Sequence, residues 1–274
     1  MGLHRALHDF KSLVSGSEID LAGAALAVAR IEYPDLAPEQ WLARLDDLAA
    51  RSTAAKLTDP RRALDRLRGF LFEEAGFRGN ADDYYDPRNS CLNDVLDRQL
   101  GIPITLSVLV MEVGRRVGLE ILGIGLPGHF CVGARLGDEL LLLDPFGGGR
   151  RLARDEAEAI ASRAVGRQVE LTDAHFTPTT KAQIVVRMLR NLQGIYARRE
   201  DWGKALSVID RLLVLEADAP MHVRDRGTVL VKLGELHRGA SEWERYLTRY
   251  PQARDAATFK EELRRVRQTL AERN

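Results

Sequence analysis

GIPITLSVLVMEVGRRVGLEILGIGLPGHFCVGARLGDELLLLDPFGGG, residues 101–149, is the stretch whose reading decides the fold. Apolar residues from Pro103 to Val117 recur at helical spacing, and proline suits the first turn, where its missing N–H has no partner to lose. Leu119 to Ile124 then reads as a short apolar strand, and Pro127-Gly128-His129 as a turn that opens a second strand, Phe130 to Leu136. Leu140 to Leu143 makes a third strand that ends on Asp144-Pro145. If these strands are neighbours, the histidine that begins one meets the aspartate that ends the next. An aspartate accepting a hydrogen bond from one imidazole nitrogen fixes the tautomer and leaves the other nitrogen as a base.

His129 and Asp144 are therefore the candidate catalytic pair, and they make two thirds of a Cys-His-Asp triad. The missing member belongs at the amino end of the buried helix, where unpaired N–H groups and the helix dipole favour thiolate.

Several short runs carry a family likeness: Leu71 to Asn80 (LFEEAGFRGN), Tyr85 to Ser90 (YDPRNS), Val95 to Arg98, Gly101 to Ser107 (GIPITLS), Gly118-Leu119, Pro127 to Phe130 and Asp144 to Phe146. With these residues the chain resembles the transglutaminase-like superfamily, in the bacterial SirB-type branch that carries tetratricopeptide repeats (TPR) at its carboxyl end. The resemblance implies an α+β body of the papain-like cysteine-protease type, with a helical amino-terminal region and an all-α TPR-like tail. In the enzymes of that superfamily a glycine stands two residues before the catalytic cysteine, a small residue one helical turn after it, and a Gly-Ile pair near the helix end. Gly101, Ser107 and Gly118 fit those three landmarks, and Pro103 stands where the nucleophile would be. Proline has no nucleophilic atom, so the resemblance implies the scaffold of a cysteine enzyme that keeps its base and aspartate as a vestigial pair. It also implies a peptide or protein partner and a part in bacterial regulation.

The 274 residues suffice for two packed units, expected as 1–180 (helical to 68, core 69–150) and 181–274. Forty basic residues balance forty acidic ones, against a dedicated nucleic-acid binder. The balance is uneven: residues 1–180 hold 21 Lys+Arg and 27 Asp+Glu, leaving 19 and 13 for the rest. Two cysteines, Cys91 and Cys131, form neither a disulfide framework nor a zinc motif, which suits a cytoplasmic protein. Six scattered histidines argue against a metal, and no fingerprint calls for a cofactor. The segment Met1 to Phe10 lacks the apolar core of a signal peptide or anchor, and no run is long enough to span a membrane.

Before the quoted stretch, three helices are expected: Asp20 to Ala29, one starting at Pro38 and running through Leu48, and one starting at Asp59-Pro60 and reaching Leu71. The polar, aromatic segment from Phe72 to Asn89 reads as a loop, and Asn89 or Ser90 as the cap of a helix from Cys91 to Leu100. Cys91 is then the candidate for a relocated nucleophile, although it reads more simply as a small hydrophobe packed on Leu92 and Val95. Thr105 and Ser107 are the hydroxyl alternatives for a hydrolase or acyltransferase using His129 and Asp144. Tyr84, Tyr85, Asn89, Pro103 and Thr105 are expected around the binding cleft. Gly147 to Arg151 has no phosphate-loop pattern and reads as a turn.

In the tail, an offset of 35 superposes Ala205 on Ala240, Val208 on Trp243, Leu212 on Leu247 and Leu215 on Tyr250. That suits stacked helix pairs of the tetratricopeptide kind, whose period is about 34. Such pairs present a groove for a peptide or a partner helix.

Overall fold

The computed structural model describes residues 2–16 and 18–272. Met1, at the start of the segment read above, lies outside them. The chain divides into two compact units: Ser12–Met188, and the residues up to Lys11 together with the chain from Leu189 onward.

Helices come first: α1 Gly2–Val14, α2 Leu21–Ala29, α3 Pro38–Ser52 and α4 Pro60–Gly69. All nine residues of α2 are buried, as expected of a helix made almost wholly of Ala, Leu and Val. Asp20 caps it by accepting from the Gly23 N–H. Asp59 caps α4 by accepting from the N–H groups of Arg61 and Arg62, and Pro60 fills the first turn.

The loop expected from Phe72 starts later than the sequence indicates. Phe70–Glu74 continues α4 as a π-helical turn, because Phe70 and Leu71 still have an apolar face to bury. Next come β1 Arg78–Gly79, a 3-10 turn Pro87–Ser90, α5 Leu92–Arg98 and β2 Leu100–Gly101, which pairs parallel with β1. The N-cap of α5 is Cys91, which makes no side-chain cap bond. Neither Asn89 nor Ser90 caps it, since both belong to the preceding 3-10 turn.

The helix α6 Pro103–Arg116 is buried over most of its length. Four antiparallel strands follow in sequential order: β3 Ile121–Leu126, β4 His129–Leu136, β5 Glu139–Asp144 and β6 Arg150–Leu152. The expected turn at Gly147–Arg151 is thus shorter, because Arg150 and Arg151 pair with Asp144 and Leu143. Pro127 and Gly128 join β3 to β4, with Gly128 at φ +68°. Any side chain at Gly128 would also strike Ala164, its Cβ falling 2.7 Å away.

The two faces of the sheet have different neighbours. On one, Ile121 packs against α6 so closely that a Cβ on Gly114 would lie 2.4 Å from it. On the other, Ile124, Leu126, Cys131 and Leu152 form a core with Ala157, Ile160 and Ala161 of α7 Arg154–Val165.

The second unit is helical. It contains most of α8 Lys181–Arg198, then α9 Trp202–Leu215, α10 Pro220–Lys232, α11 Leu236–Arg249 and α12 Ala256–Glu272. Its repeat is 34 residues, not 35. α9 begins at 202 and α11 at 236, and their C-caps, Glu216 and Tyr250, share a φ of −130°. Ala205 therefore matches Gly239, Ile209 matches Trp243, and Leu212 matches Tyr246; all six are buried. The apolar faces alone do not fix this register, because a wide buried stripe tolerates a one-residue slip and the caps do not. Gly227 and Gly239 let α10 and α11 approach: a Cβ on Gly227 would meet Trp243 at 2.5 Å, and one on Gly239 would meet the Gly227 carbonyl at 2.9 Å.

Candidate functional site

His129 is the first residue of β4 and Asp144 the last of β5, so the antiparallel pairing brings both to one end of the sheet. His129 Nε2 lies 3.0 Å from Asp144 Oδ1, and the two residues are only 7% and 4% exposed. Burial pushes the Asp144 carboxyl up, but the hydrogen bonds from His129 and from the Gly147 N–H, with the Arg150 charge, hold it below the usual carboxylate range. An ionised Asp144 accepts from Nε2–H, which leaves Nδ1 as the nitrogen free to accept a proton. Gly147 is required for this arrangement, since a Cβ there would lie 2.6 Å from Asp144 Oδ2.

The start of α6 is built around Thr105 and Asn89. The Thr105 hydroxyl donates to the Asn89 carbonyl and accepts from the Ile102 N–H, so it is spent on capping. The Asn89 side chain accepts from Asn80 Nδ2 at 3.0 Å and donates to the carbonyls of Asp83 and Tyr84 at 2.7 and 3.3 Å. Asn89 thus clamps the loop that carries the two tyrosines. From there a chain of ring contacts reaches the pair: Tyr84 meets Phe146 edge-on with centroids 6.0 Å apart, and Phe146 meets His129 at 6.4 Å.

The residues singled out in the sequence fall into two groups. Tyr84 and Tyr85 are 37% and 59% exposed and form the accessible rim. Asn89, Pro103, Thr105 and Ser107 are buried. Pro103 is the first residue of α6. The Ser107 hydroxyl is sealed and has no hydrogen-bond partner among the described residues.

Both thiols are fully buried. Cys131 shares a sheet face with Asp144, and burial together with that carboxylate pushes its thiol up to about 12. It packs into the core with Ala157, Ile160 and Ala161 of α7.

Two participants went unmarked in the sequence reading of the site: Phe146, whose ring stands between Tyr84 and His129, and Arg187 of α8. The Arg187 guanidinium donates to the carbonyls of His129, at 2.6 Å, and Leu126, at 3.3 Å. It thereby ties the β3–β4 turn in place.

Among the described residues no cluster of three or more His, Cys, Asp or Glu could hold a metal, and no helix is long and apolar enough to cross a membrane.

A transglutaminase-like superfamily model matches residues 39–190, and a tetratricopeptide-repeat model matches 192–264. A UPF0162 protein of Xylella fastidiosa is 36% identical over 243 residues, which is 87% of this chain and 86% of that one. The chain belongs to the transglutaminase-like superfamily, in its UPF0162 family. Another UPF0162 protein, from Pseudomonas aeruginosa, is 32% identical over 194 residues, 70% of each chain. The human F-box only protein 21 is 30% identical over 143 residues, 49% of this chain but 22% of its own length. No solved structure matches. The superfamily match spans Pro103, His129, Asp144 and Arg187, so the transglutaminase-like part includes the beginning of α8.

Proposed function

We propose that this UPF0162 protein binds a peptide or protein partner at the face formed by Tyr84, Tyr85, Phe146 and His129, and carries out no cysteine-dependent acyl transfer. The observation that carries the reading is Pro103 at the first position of α6, together with the absence of an accessible thiol: Cys91 and Cys131 are both 0% exposed. Covalent acyl transfer needs a nucleophile within hydrogen-bond reach of its base, about 3 Å. The hydroxyl alternatives fare no better. Thr105 is committed to the helix cap, and Ser107 is sealed from solvent.

A binding role has positive support as well. Two tyrosines held on a clamped loop offer large, rigid contact area beside a polar histidine, a composition typical of recognition surfaces. The tetratricopeptide repeats add a class of helical array that mediates protein–protein interaction.

The test is His129-dependent turnover. Incorporation of a fluorescent primary amine into a glutamine-bearing protein, and hydrolysis of an activated thioester, are measured for the full chain and for His129→Ala. The expected rates are equal in the two proteins. Turnover at least tenfold faster in the wild type than in the variant would contradict the proposal.

A further inference from the structure

Arg187 is a cation in an unusual setting for this chain. Arg116, Arg224 and Arg226 are comparably shielded, and each pairs with two carboxylates: Asp46 and Glu112, Asp225 and Asp255, Asp210 and Glu242. Arg187 is partly buried too, yet its protein partners are carbonyl oxygens, those of Leu126 and His129. No carboxylate pairs with it among the described residues. Burial accordingly lowers its proton affinity, whereas the carboxylates around the other three raise theirs.

A shielded charge without a counter-ion is costly, and proteins rarely keep one without a use. The fold makes room for this one. Gly125 has no side chain where a Cβ would lie 3.3 Å from Arg187 Nη1, and the Phe130 ring stacks against the guanidinium with 5.2 Å to its centroid. A guanidinium has five N–H donors, and the two carbonyls engage only part of the fork. Among the described residues Nε meets no acceptor. The neighbours are those of the candidate face. The guanidinium holds the His129 backbone, and the ring contacts of Phe146 link His129 to Tyr84.

Resting on the peptide-binding reading above, we propose that Arg187 is the receptor for a carboxylate of the bound peptide. The carboxylate would take the unused N–H groups of the fork, supplying the missing counter-charge. It comes either from an acidic side chain or from the peptide's own carboxyl terminus. An arginine is the suited residue, because its planar fork matches a carboxylate in a way that a lysine ammonium does not.

The experiment is selection of a random nine-residue peptide library, displayed with free carboxyl termini, on the full-length protein. Enriched peptides are resynthesised with each acid replaced by its amide, and separately with an amidated terminus, and binding is followed by anisotropy. Swapping the one essential acid, or amidating the terminus, is expected to weaken binding about tenfold or more, and the outcome tells which source is used. Arg187→Lys and Arg187→Gln are expected to abolish that difference between acid and amide. The peptide-side swap needs no protein variant, so it decides the matter even if Arg187→Gln folds poorly. Enriched peptides that bind equally well as amides would overturn the carboxylate receptor and leave peptide binding standing. Failure to enrich any peptide would overturn both.

Discussion

His129 and Asp144, the first residue of one strand and the last of the next, stand with Nε2 and Oδ1 3.0 Å apart at one end of a four-stranded sheet. The helix that the superfamily resemblance makes the source of a nucleophile begins with Pro103. The pair's contribution to the fold can be measured apart from any chemistry.

Asp144 is held below the usual carboxylate range in the folded protein, despite burial, by its bonds to His129 and Gly147. Its stabilising contribution is fully present above the unfolded carboxyl value of about 3.9. It is lost as pH falls through the lower folded value. Asp144→Asn is expected to be about 1–3 kcal/mol less stable than wild type at pH 6 in urea denaturation. The gap is expected to narrow as pH is lowered below 4; a gap constant from pH 6 to pH 3 would show that the charge of Asp144 does not matter.

Asn89 makes three side-chain hydrogen bonds in a buried position. Asn89→Ala leaves the Asp83 and Tyr84 carbonyls and the Asn80 amide without it, and is expected to cost about 2–3 kcal/mol. Amide exchange should accelerate in the loop carrying Tyr84 and Tyr85. Unchanged exchange there would mean that the ring contacts of Tyr84, and not Asn89, hold the loop.

Gly118 and Gly149 both adopt positive φ, +83° and +71°, but only one is crowded. Nothing lies within 4 Å of a Cβ at Gly118, whereas a Cβ at Gly149 would be 2.2 Å from Phe72. Gly118→Ala should cost about 1–2 kcal/mol for the left-handed backbone alone. Gly149→Ala should cost a further 1–3, on the order of an overpacked core. Equal thermal shifts for the two variants would mean that Phe72 swings aside freely.

The sequence made the sheet end legible because its signals are local: Pro127-Gly128 marks a turn, and His129 and Asp144 bound apolar strands. Pro103 announced itself in the same way, as a helix start. Three things were not legible. Asn89 has the composition of a helix cap, and only the folding of the preceding loop back onto it, through Asn80 and Tyr84, turns it into a loop clamp. The repeat register was misjudged by one residue, since the broad apolar stripes of α9 and α11 match almost as well at 35 as at 34. Arg187 looks in sequence like any arginine on an amphipathic helix. Its hold on the His129 carbonyl, with no carboxylate beside it among the described residues, arises only when α8 meets the β3–β4 turn.

The proposal that no working nucleophile is present is tested most directly by the kinetics of a thiol-reactive electrophile at neutral pH, followed by mass spectrometry on wild type, Cys91→Ser, Cys131→Ser and His129→Ala. With both thiols fully buried, and Cys131 pushed up to about 12, labelling is expected to be slow in the native protein, to accelerate on unfolding, and to be unaffected by His129→Ala. Rapid labelling of Cys91 or Cys131 that disappears in His129→Ala would contradict the account, because it would show a thiol coupled to the imidazole.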